Sequence, residues 1–211
     1  MTYNNIYFIN GTAYAGKSTM VKLLAEKYDG ILCEENYHGR FFSNLNDEEF
    51  PYLSYTKNLK DWHDFIRRTP DEYEAWINGS AKECEKLELR ILEDLNKQGK
   101  PVFVDTNVSI ETLKEISDSR HVLIMLADPQ ISVRRFFERP DAEKQFLYQL
   151  IMEEPNPEYA LENFRRCLMQ INSQENYNRF LNAGFPVILR DENRSIEETL
   201  AMAEKAFGLD R

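Results

Sequence analysis

Eight residues near the N-terminus carry the clearest chemical pattern in the chain. Residues 11–18 read Gly-Thr-Ala-Tyr-Ala-Gly-Lys-Ser, which is the G-x-x-x-x-G-K-[ST] pattern of phosphate-binding loops. Glycine suits such a loop because backbone N–H groups can approach phosphate oxygens with no Cβ in the way. Lys17 would contact the β- and γ-phosphates, Ser18 would offer a hydroxyl ligand to Mg²⁺, and Thr19 could reach another phosphate oxygen.

The elements on either side of this loop support that interpretation over an ordinary turn with a surface lysine. An apolar run at residues 6–9 predicts a buried strand just before the loop. Apolar residues after it recur at helical spacing until Asp29-Gly30, which predicts a helix that begins near Gly16. Unsatisfied N–H groups and the positive end of the helix dipole would then also face the phosphates.

Acidic residues follow two further predicted strands. Glu34 and Glu35 come after a short strand at residues 30–33, and Asp105 lies at the carboxyl end of a strand in residues 101–107. Ligands of open parallel sheets bind beyond the carboxyl ends of the strands, so we expect these carboxylates in one crevice with the loop. The alternatives are a solvated loop for the glutamates and, for Asp105, a helix cap, a role that Ser109 fits better.

Helical patterns dominate two regions of the remaining chain. Residues 39–98 show no further strand pattern but many aromatic residues, which either stack on an acceptor or pack in helix cores. Residues 153–157 break the helical pattern and predict a loop before a helix from about 157 to 182. Five arginines flank this loop and suit either a phosphate-closing lid or plain basic surfaces. They are Arg134, Arg135, Arg139, Arg165 and Arg166.

The composition is that of one globular domain of 211 residues, with 42% apolar and 29% charged residues. A formal net charge of −10 argues against a nucleic-acid backbone as partner. The three cysteines, at 33, 84 and 167, are spaced as neither a disulfide framework nor a zinc site. No signal peptide or membrane segment is recognisable, so we expect a cytoplasmic monomer or homodimer without a membrane partner.

The order of these elements resembles the P-loop kinases of the nucleoside and nucleotide kinase group over nearly the whole chain. The specific part is residues 11–19, followed by Leu-Ala-Asp-Pro at 126–129 with the arginines after it. The resemblance implies a three-layer α/β fold with a five-stranded parallel sheet of order 2-3-1-4-5. It also implies an acceptor-side helical insertion at about 39–98, an arginine-bearing lid at about 136–160, and ATP and Mg²⁺ as cofactors.

The resemblance also implies roles for individual residues. Glu34 or Glu35 would act on the acceptor, Lys17, Arg139 and Arg166 would contact phosphates, and Ser18 with Asp105 would organise Mg²⁺. The strand with Asp105 continues Thr-Asn, so it lacks the Asp-Gly-x-Pro-Arg run of nucleoside monophosphate kinases. The remaining nucleotide contacts are expected from the loop, the arginine-bearing helix and the segment after the fifth strand. They are Gly11, Ala13, Tyr14, Ala15, Gly16, Thr19, Arg135 and Asn193.

Two features favour transfer to an acceptor over hydrolysis. No Asn-Lys-x-Asp motif for guanine is present, and Thr106 rather than glutamate follows Asp105. The sequence therefore predicts an ATP-dependent kinase of a nucleoside, nucleotide or similar hydroxyl-bearing metabolite. An ATP-binding regulatory protein, or one that hydrolyses nucleotide without an acceptor, is the alternative.

Overall fold

A five-stranded parallel sheet forms the centre of the computed structural model, which describes residues 3–138 and 141–210. The strand order is β2-β3-β1-β4-β5, the order that the resemblance implies, and helices flank the sheet in an α/β arrangement. All four strand pairings are parallel. The strands are β1 (Ile6–Gly11), β2 (Ile31–Cys33), β3 (Val102–Asp105), β4 (Val122–Leu126) and β5 (Val187–Leu189).

Both faces of the sheet are covered, which explains why its central strands are apolar almost without interruption. Side chains alternate between the faces, so Phe8 packs in one hydrophobic cluster and Ile9 in the other. β1 pairs with β3 in the register that sets Ile9 opposite Asp105. The first polar side chain of β3 therefore emerges beside the end of β1.

Ten α-helices and two 3₁₀ segments make up the other elements of the described residues. None of the helices in these ranges combines the length and the apolar character needed to cross a membrane. The 3₁₀ segments are Tyr37–Asn44 and Phe136–Glu138. The helices are α1 (Lys17–Lys27), α2 (Tyr55–Asn58), α3 (His63–Ile66), α4 (Pro70–Asn96), α5 (Ile110–Ile116), α6 (Pro129–Arg135), α7 (Ala142–Glu153), α8 (Pro157–Ile171), α9 (Gln174–Leu181) and α10 (Ile196–Phe207).

Side-chain caps fix where several helices begin. Ser109 caps α5, because its hydroxyl accepts the N–H of Thr112 at 3.2 Å. Ser195 and Glu198 form a capping box at the start of α10. The expectation of a single helix over residues 157–182 is wrong, because the helical pattern stops at Asn172. Ser173 then begins α9 as its N-cap, accepting the N–H of Asn176 at 3.3 Å.

A separate aromatic core joins α3, α4, α7 and α8. Phe65 is 4% exposed and packs edge-on against Tyr73 and Trp76. Phe65 is therefore a core residue, in line with the packing alternative for the aromatic stretch. Other members of that stretch, such as Phe42 and Tyr52, are exposed at the surface.

Glu154, just after α7, connects this helix to the α3 region. Its carboxylate accepts hydrogen bonds from Arg67 Nε at 3.0 and 3.1 Å and lies 2.6 Å from His63 Nδ1. Hydrogen bonding from Arg67, and then from His63, holds the pKa of Glu154 below its ordinary value of 4.5. The carboxylate thus stabilises the fold above pH 4.5, and this contribution is lost as the pH falls through the lowered pKa.

We expect Glu154→Gln to lower the melting temperature by about 2 °C at pH 7, because charged partners lose their carboxylate at a partly solvated site. The loss should shrink as the pH falls from 5 to 3. Glu153→Gln is the control, since its carboxylate is largely exposed and lies 3.8 Å from His63 Nε2. Thermal melts of the three proteins across that pH range check this, and equal losses in both variants would contradict it.

Candidate functional site

The segment between β1 and α1, residues 11–18, is called here the glycine loop. Two of its backbone positions need glycine or strongly favour it. Gly11 has φ +132° and Gly16 has φ +92°, both in the left-handed half of φ that side-chain-bearing residues rarely adopt. A Cβ on Gly11 would also lie only 1.9 Å from the carbonyl oxygen of Met125. The loop therefore packs its backbone directly against the end of β4.

Hydrogen bonds from distant parts of the chain hold the glycine loop in shape. The Thr12 hydroxyl accepts the N–H of Ala127 at 2.7 Å. The Tyr14 hydroxyl donates to the carbonyl of Arg135 at 2.6 Å, and the guanidinium of Arg190 donates to the carbonyl of Tyr14. The only sequence signal for the role of Arg190 is its place directly after β5.

Lys17, Ser18 and Asp105 meet at the base of the glycine loop. The Ser18 hydroxyl donates to Asp105 Oδ2 at 2.8 Å, and Lys17 Nζ lies 3.7 Å from Asp105 Oδ1. Lys17 Nζ also donates to the carbonyl of Thr12 at 3.3 Å, which bends its side chain back over the loop. The structure thus brings together the three side chains that the sequence assigns to phosphate and metal.

Burial shapes the electrostatics of this contact. Asp105 is 2% exposed, and this burial raises its pKa, while the Lys17 ammonium and the Ser18 hydroxyl oppose that shift. The carboxylates of Glu35 and Glu88 add to the rise. A cation bound near Asp105 would offset the negative charge of these three carboxylates and favour the ionised form of Asp105.

The donor set at Asp105 fits Mg²⁺ rather than a metal held by protein ligands alone. Ser18 and Asp105 supply a hydroxyl and a carboxylate oxygen, the ligand type that Mg²⁺ prefers. Within the described residues, no group of three or more His, Cys, Asp or Glu side chains is arranged to hold a metal. Mg²⁺ commonly takes one or two protein oxygens and completes its shell with phosphate oxygens and water, which is compatible with this pair.

A cleft of about 550 Å³, called here the sheet-edge cleft, opens beside these groups. Glu34 and Glu35 are both exposed, but of the two only Glu35 is among the lining residues of the cleft in the described ranges. The cleft extends from the glycine loop to α4 and α9, with polar side chains on both. Its lining residues include Gly11, Lys17, Glu35, Asn78, Lys82, Asp105, Asn107 and Arg179.

A buried carboxylate, Glu88 of α4, fixes the floor of the sheet-edge cleft. Glu88 is fully buried and accepts hydrogen bonds from Thr106 Oγ1 at 2.7 Å and Asn107 Nδ2 at 2.9 Å. Its other neighbour is the equally buried His38, whose Nδ1 lies 3.1 Å away and whose Nε2 lies 3.2 Å from Cys84 Sγ. This network joins the segment after β2 to the segment after β3.

Glu88 is the functional-site residue that sequence reasoning missed most clearly. Its signal was present, because it falls on the buried stripe of α4 between Leu87 and Ile91. A glutamate on an apolar stripe needs a buried partner. The partners are 18 residues away at Thr106 and about 50 away at His38, so spacing along the helix does not identify them.

The remaining predicted site residues are distributed over several elements. Arg135 is exposed with its guanidinium 3.7 Å from Glu138, and Asn193 is exposed in the turn after β5. Arg166 is exposed on α8, and Arg139 lies outside the described residues. Within the glycine loop, Ala13 lines the cleft and Tyr14 faces α6, while Ala15 is buried and Thr19 is exposed on α1.

Comparison with protein-family models and with curated proteins finds no match to this chain. The function is therefore inferred from the chemistry of the glycine loop, the carboxylates and the sheet-edge cleft.

We expect Gly11→Ala to lower the free energy of unfolding by more than about 2 kcal/mol, because a Cβ there combines an unfavourable φ with a backbone clash. Gly99→Ala is the control: Gly99 also has a positive φ, +71°, but a Cβ there meets nothing within 4 Å. Its cost should be about 1 kcal/mol. Urea unfolding of both variants measures the difference, and equal costs would show that the contact with Met125 is not tight.

Proposed function

We propose that this protein is an ATP- and Mg²⁺-dependent kinase of the P-loop superfamily, with a nucleoside, nucleotide or similar hydroxyl-bearing metabolite as acceptor. One observation carries the proposal: Lys17, Ser18 and Asp105 converge at the glycine loop, and Glu35 lies on the wall of the cleft that they share. A nucleotide-binding half and an acceptor-binding half are then adjacent, as phosphoryl transfer requires.

The glycine loop would hold the nucleotide phosphates. Gly11 and Gly16 allow its backbone to curve, and N–H groups at the start of α1 are free of intrahelical partners. Lys17 Nζ is already held at the loop by the Thr12 carbonyl and Asp105. It would exchange these contacts for β- and γ-phosphate oxygens and offset charge that develops during transfer.

Ser18 and Asp105 would hold Mg²⁺, which when bound neutralises charge on the β- and γ-phosphates. In the structure the Ser18 hydroxyl donates to Asp105, so the two oxygens already lie close enough together to bind the same ion. Burial of Asp105 keeps the carboxylate in place. The chain's contribution is thus to orient two oxygens rather than to enclose the ion.

Glu35 would orient the acceptor hydroxyl and accept its proton as the phosphoryl group moves. Its position on the cleft wall favours it over Glu34 for this role. His38, only three residues further along, is fully buried with its Nδ1 3.1 Å from Glu88, and this burial limits how far the segment with Glu35 can move. A positioned general base contributes about 10²–10⁴ in rate.

The arginines and the segment after β5 would complete the nucleotide site. Arg135 lies on the helix whose end contacts Tyr14 of the glycine loop. We assign Arg135, Arg139 and Arg166 to phosphate contacts in a closed state, and Asn193 to the neighbourhood of the adenine. Lys82 on the cleft wall would attract a polar or anionic acceptor, whereas the Arg179 guanidinium there is paired with Glu111 at 2.7 Å.

We expect Lys17→Ala to reduce phosphoryl transfer by about 10³ or more while the fold is kept, because phosphate-contacting cations act mainly on charge in the transition state. Lys22→Ala is the matched control, since Lys22 is an exposed lysine of the same helix. The assay follows transfer of labelled γ-phosphate from ATP to a panel of nucleosides, nucleoside monophosphates and small alcohols. Label released only as inorganic phosphate would instead favour a hydrolase.

Substitutions of Asp105 and Glu35 should affect ATP binding and turnover separately. We expect Asp105→Asn to weaken Mg²⁺-dependent ATP binding, and Glu35→Gln to keep that affinity but lower turnover by about 10²–10⁴. Calorimetric titration with Mg·ATP and the transfer assay measure the two effects. Glu34→Gln is the control and should resemble the wild type; the reverse pattern at 35 and 105 would exchange the two roles.

A further inference from the structure

A second cleft, called here the arginine cleft, lies on the opposite side of α4. Its volume is about 630 Å³, and in the described part of the chain it shares no lining residue with the sheet-edge cleft. α4 turns Ile77 and Asn78 towards the sheet-edge cleft and Ala75 and Trp76 towards the arginine cleft. The lining residues are Pro51, Tyr52, Tyr55, Asp64, Arg67, Arg68, Glu72, Ala75 and Trp76.

Arg68 is held in the arginine cleft by aromatic rings rather than by a carboxylate. Its guanidinium carbon lies 4.0 Å from the ring centroid of Tyr55, 5.0 Å from that of Phe65 and 5.3 Å from that of Trp76. Its Nη1 is buried and has no hydrogen-bond partner among the described residues. Buried guanidinium groups normally satisfy their donors, so this arrangement leaves hydrogen-bonding capacity unused.

The scaffold around Arg68 is fixed. The carbonyl of Arg68 accepts a hydrogen bond from Asn163 Nδ2 of α8 at 2.8 Å. Trp76 Nε1 donates to the carbonyl of Tyr52 at 3.0 Å, which sets the plane of the indole. The aromatic walls and the guanidinium are therefore preformed, a property that lowers the entropic cost of binding a ligand.

The other charged residues of the arginine cleft differ from Arg68. Arg67 is paired with Glu154, and the carboxylate of Glu72 accepts the N–H of Thr69 in the capping box of α4. Asp64 is exposed and lies on the cleft wall. Of the two arginines that line the cleft, Arg68 makes no salt bridge with any residue of the described ranges.

We propose that the arginine cleft binds a small aromatic carboxylate, with the carboxylate on the Arg68 guanidinium and the flat ring against the aromatic wall of the cleft that includes Tyr52 and Trp76. The guanidinium fork matches a carboxylate with two parallel hydrogen bonds, and aromatic side chains cover a planar ring well. The negative charges of Asp64 and Glu72 disfavour a doubly charged phosphate here. A singly charged, planar anion suits both the nearby negative charges and the aromatic wall. The site does not depend on the proposed kinase activity.

Sodium benzoate is the probe for this site, and the indole N–H signal of Trp76 in NMR spectra of the ¹⁵N-labelled protein is the readout. Its assignment comes from its absence in the W76F variant. We expect a saturable shift with benzoate, a weaker one with cyclohexanecarboxylate because its ring is not flat, and none with inorganic phosphate at the same concentration. A wild-type protein with no saturable benzoate shift up to about 20 mM would overturn the proposal.

Variants of Arg68 test the role of the guanidinium. We expect Arg68→Gln to weaken benzoate binding about tenfold or more, and Arg68→Lys about threefold or more, because lysine keeps the charge but loses the fork. Arg90→Gln is the matched control, since Arg90 also lies over an aromatic ring, Phe50 at 5.9 Å, outside the cleft. If Arg68→Gln does not fold, Arg68→Lys decides. Wild-type affinity in a folded Arg68 variant, or tighter binding of phosphate than of benzoate, would refute the assignment.

Discussion

The contact between the backbone at Gly11 and the carbonyl of Met125 is the constraint on which the site depends. No Cβ fits between them, so β1 can continue to its last residue beside β4 before the chain turns into the glycine loop. The turn then delivers Lys17 and Ser18 to the first helical positions of α1. Because β3 flanks β1 on its other side, Asp105 comes to the same point in a register set by the sheet alone.

The second half of the site rests on a buried charge rather than on a close backbone contact. The Glu88 carboxylate accepts hydrogen bonds from the segment after β3 and lies beside His38 in the segment after β2. One buried carboxylate therefore contacts both segments that border the sheet-edge cleft. Removing one partner from such a network leaves a buried polar group unsatisfied, which is costly. The arrangement therefore resists displacement of either segment alone.

The parts of this structure that sequence could predict are those encoded locally. Residues 6–9 form an apolar run and residues 101–107 contain one, and both became strands within a few residues of the expected bounds. The hydroxyls of Ser109 and Ser195 likewise sit just before their helices and cap them. The strand order followed from the resemblance to a known arrangement rather than from any single residue.

What sequence could not predict depends on partners that are distant in the chain. Nothing near Arg190 indicates that its guanidinium reaches the carbonyl of Tyr14, and nothing near Glu88 points to His38. The choice between Glu34 and Glu35 depends on which way a three-residue strand turns its last side chains, which so short a run does not specify. The break at Asn172 likewise interrupts an apolar pattern that continues on both sides of it.

The anchors of the glycine loop also determine when its shape can exist during synthesis. Thr12 is separated from Ala127 by 115 residues, and Tyr14 from Arg190 by 176. Both partners lie later in the chain, so the loop leaves the ribosome before the segments that hold it by these hydrogen bonds. If the glycine loop became ordered early, a long chain segment would have to close first, and no contact would yet compensate for the entropy lost in that closure. The phosphate-binding pattern thus precedes its partners in the polypeptide, and its geometry is acquired only when β4 and β5 have joined the sheet.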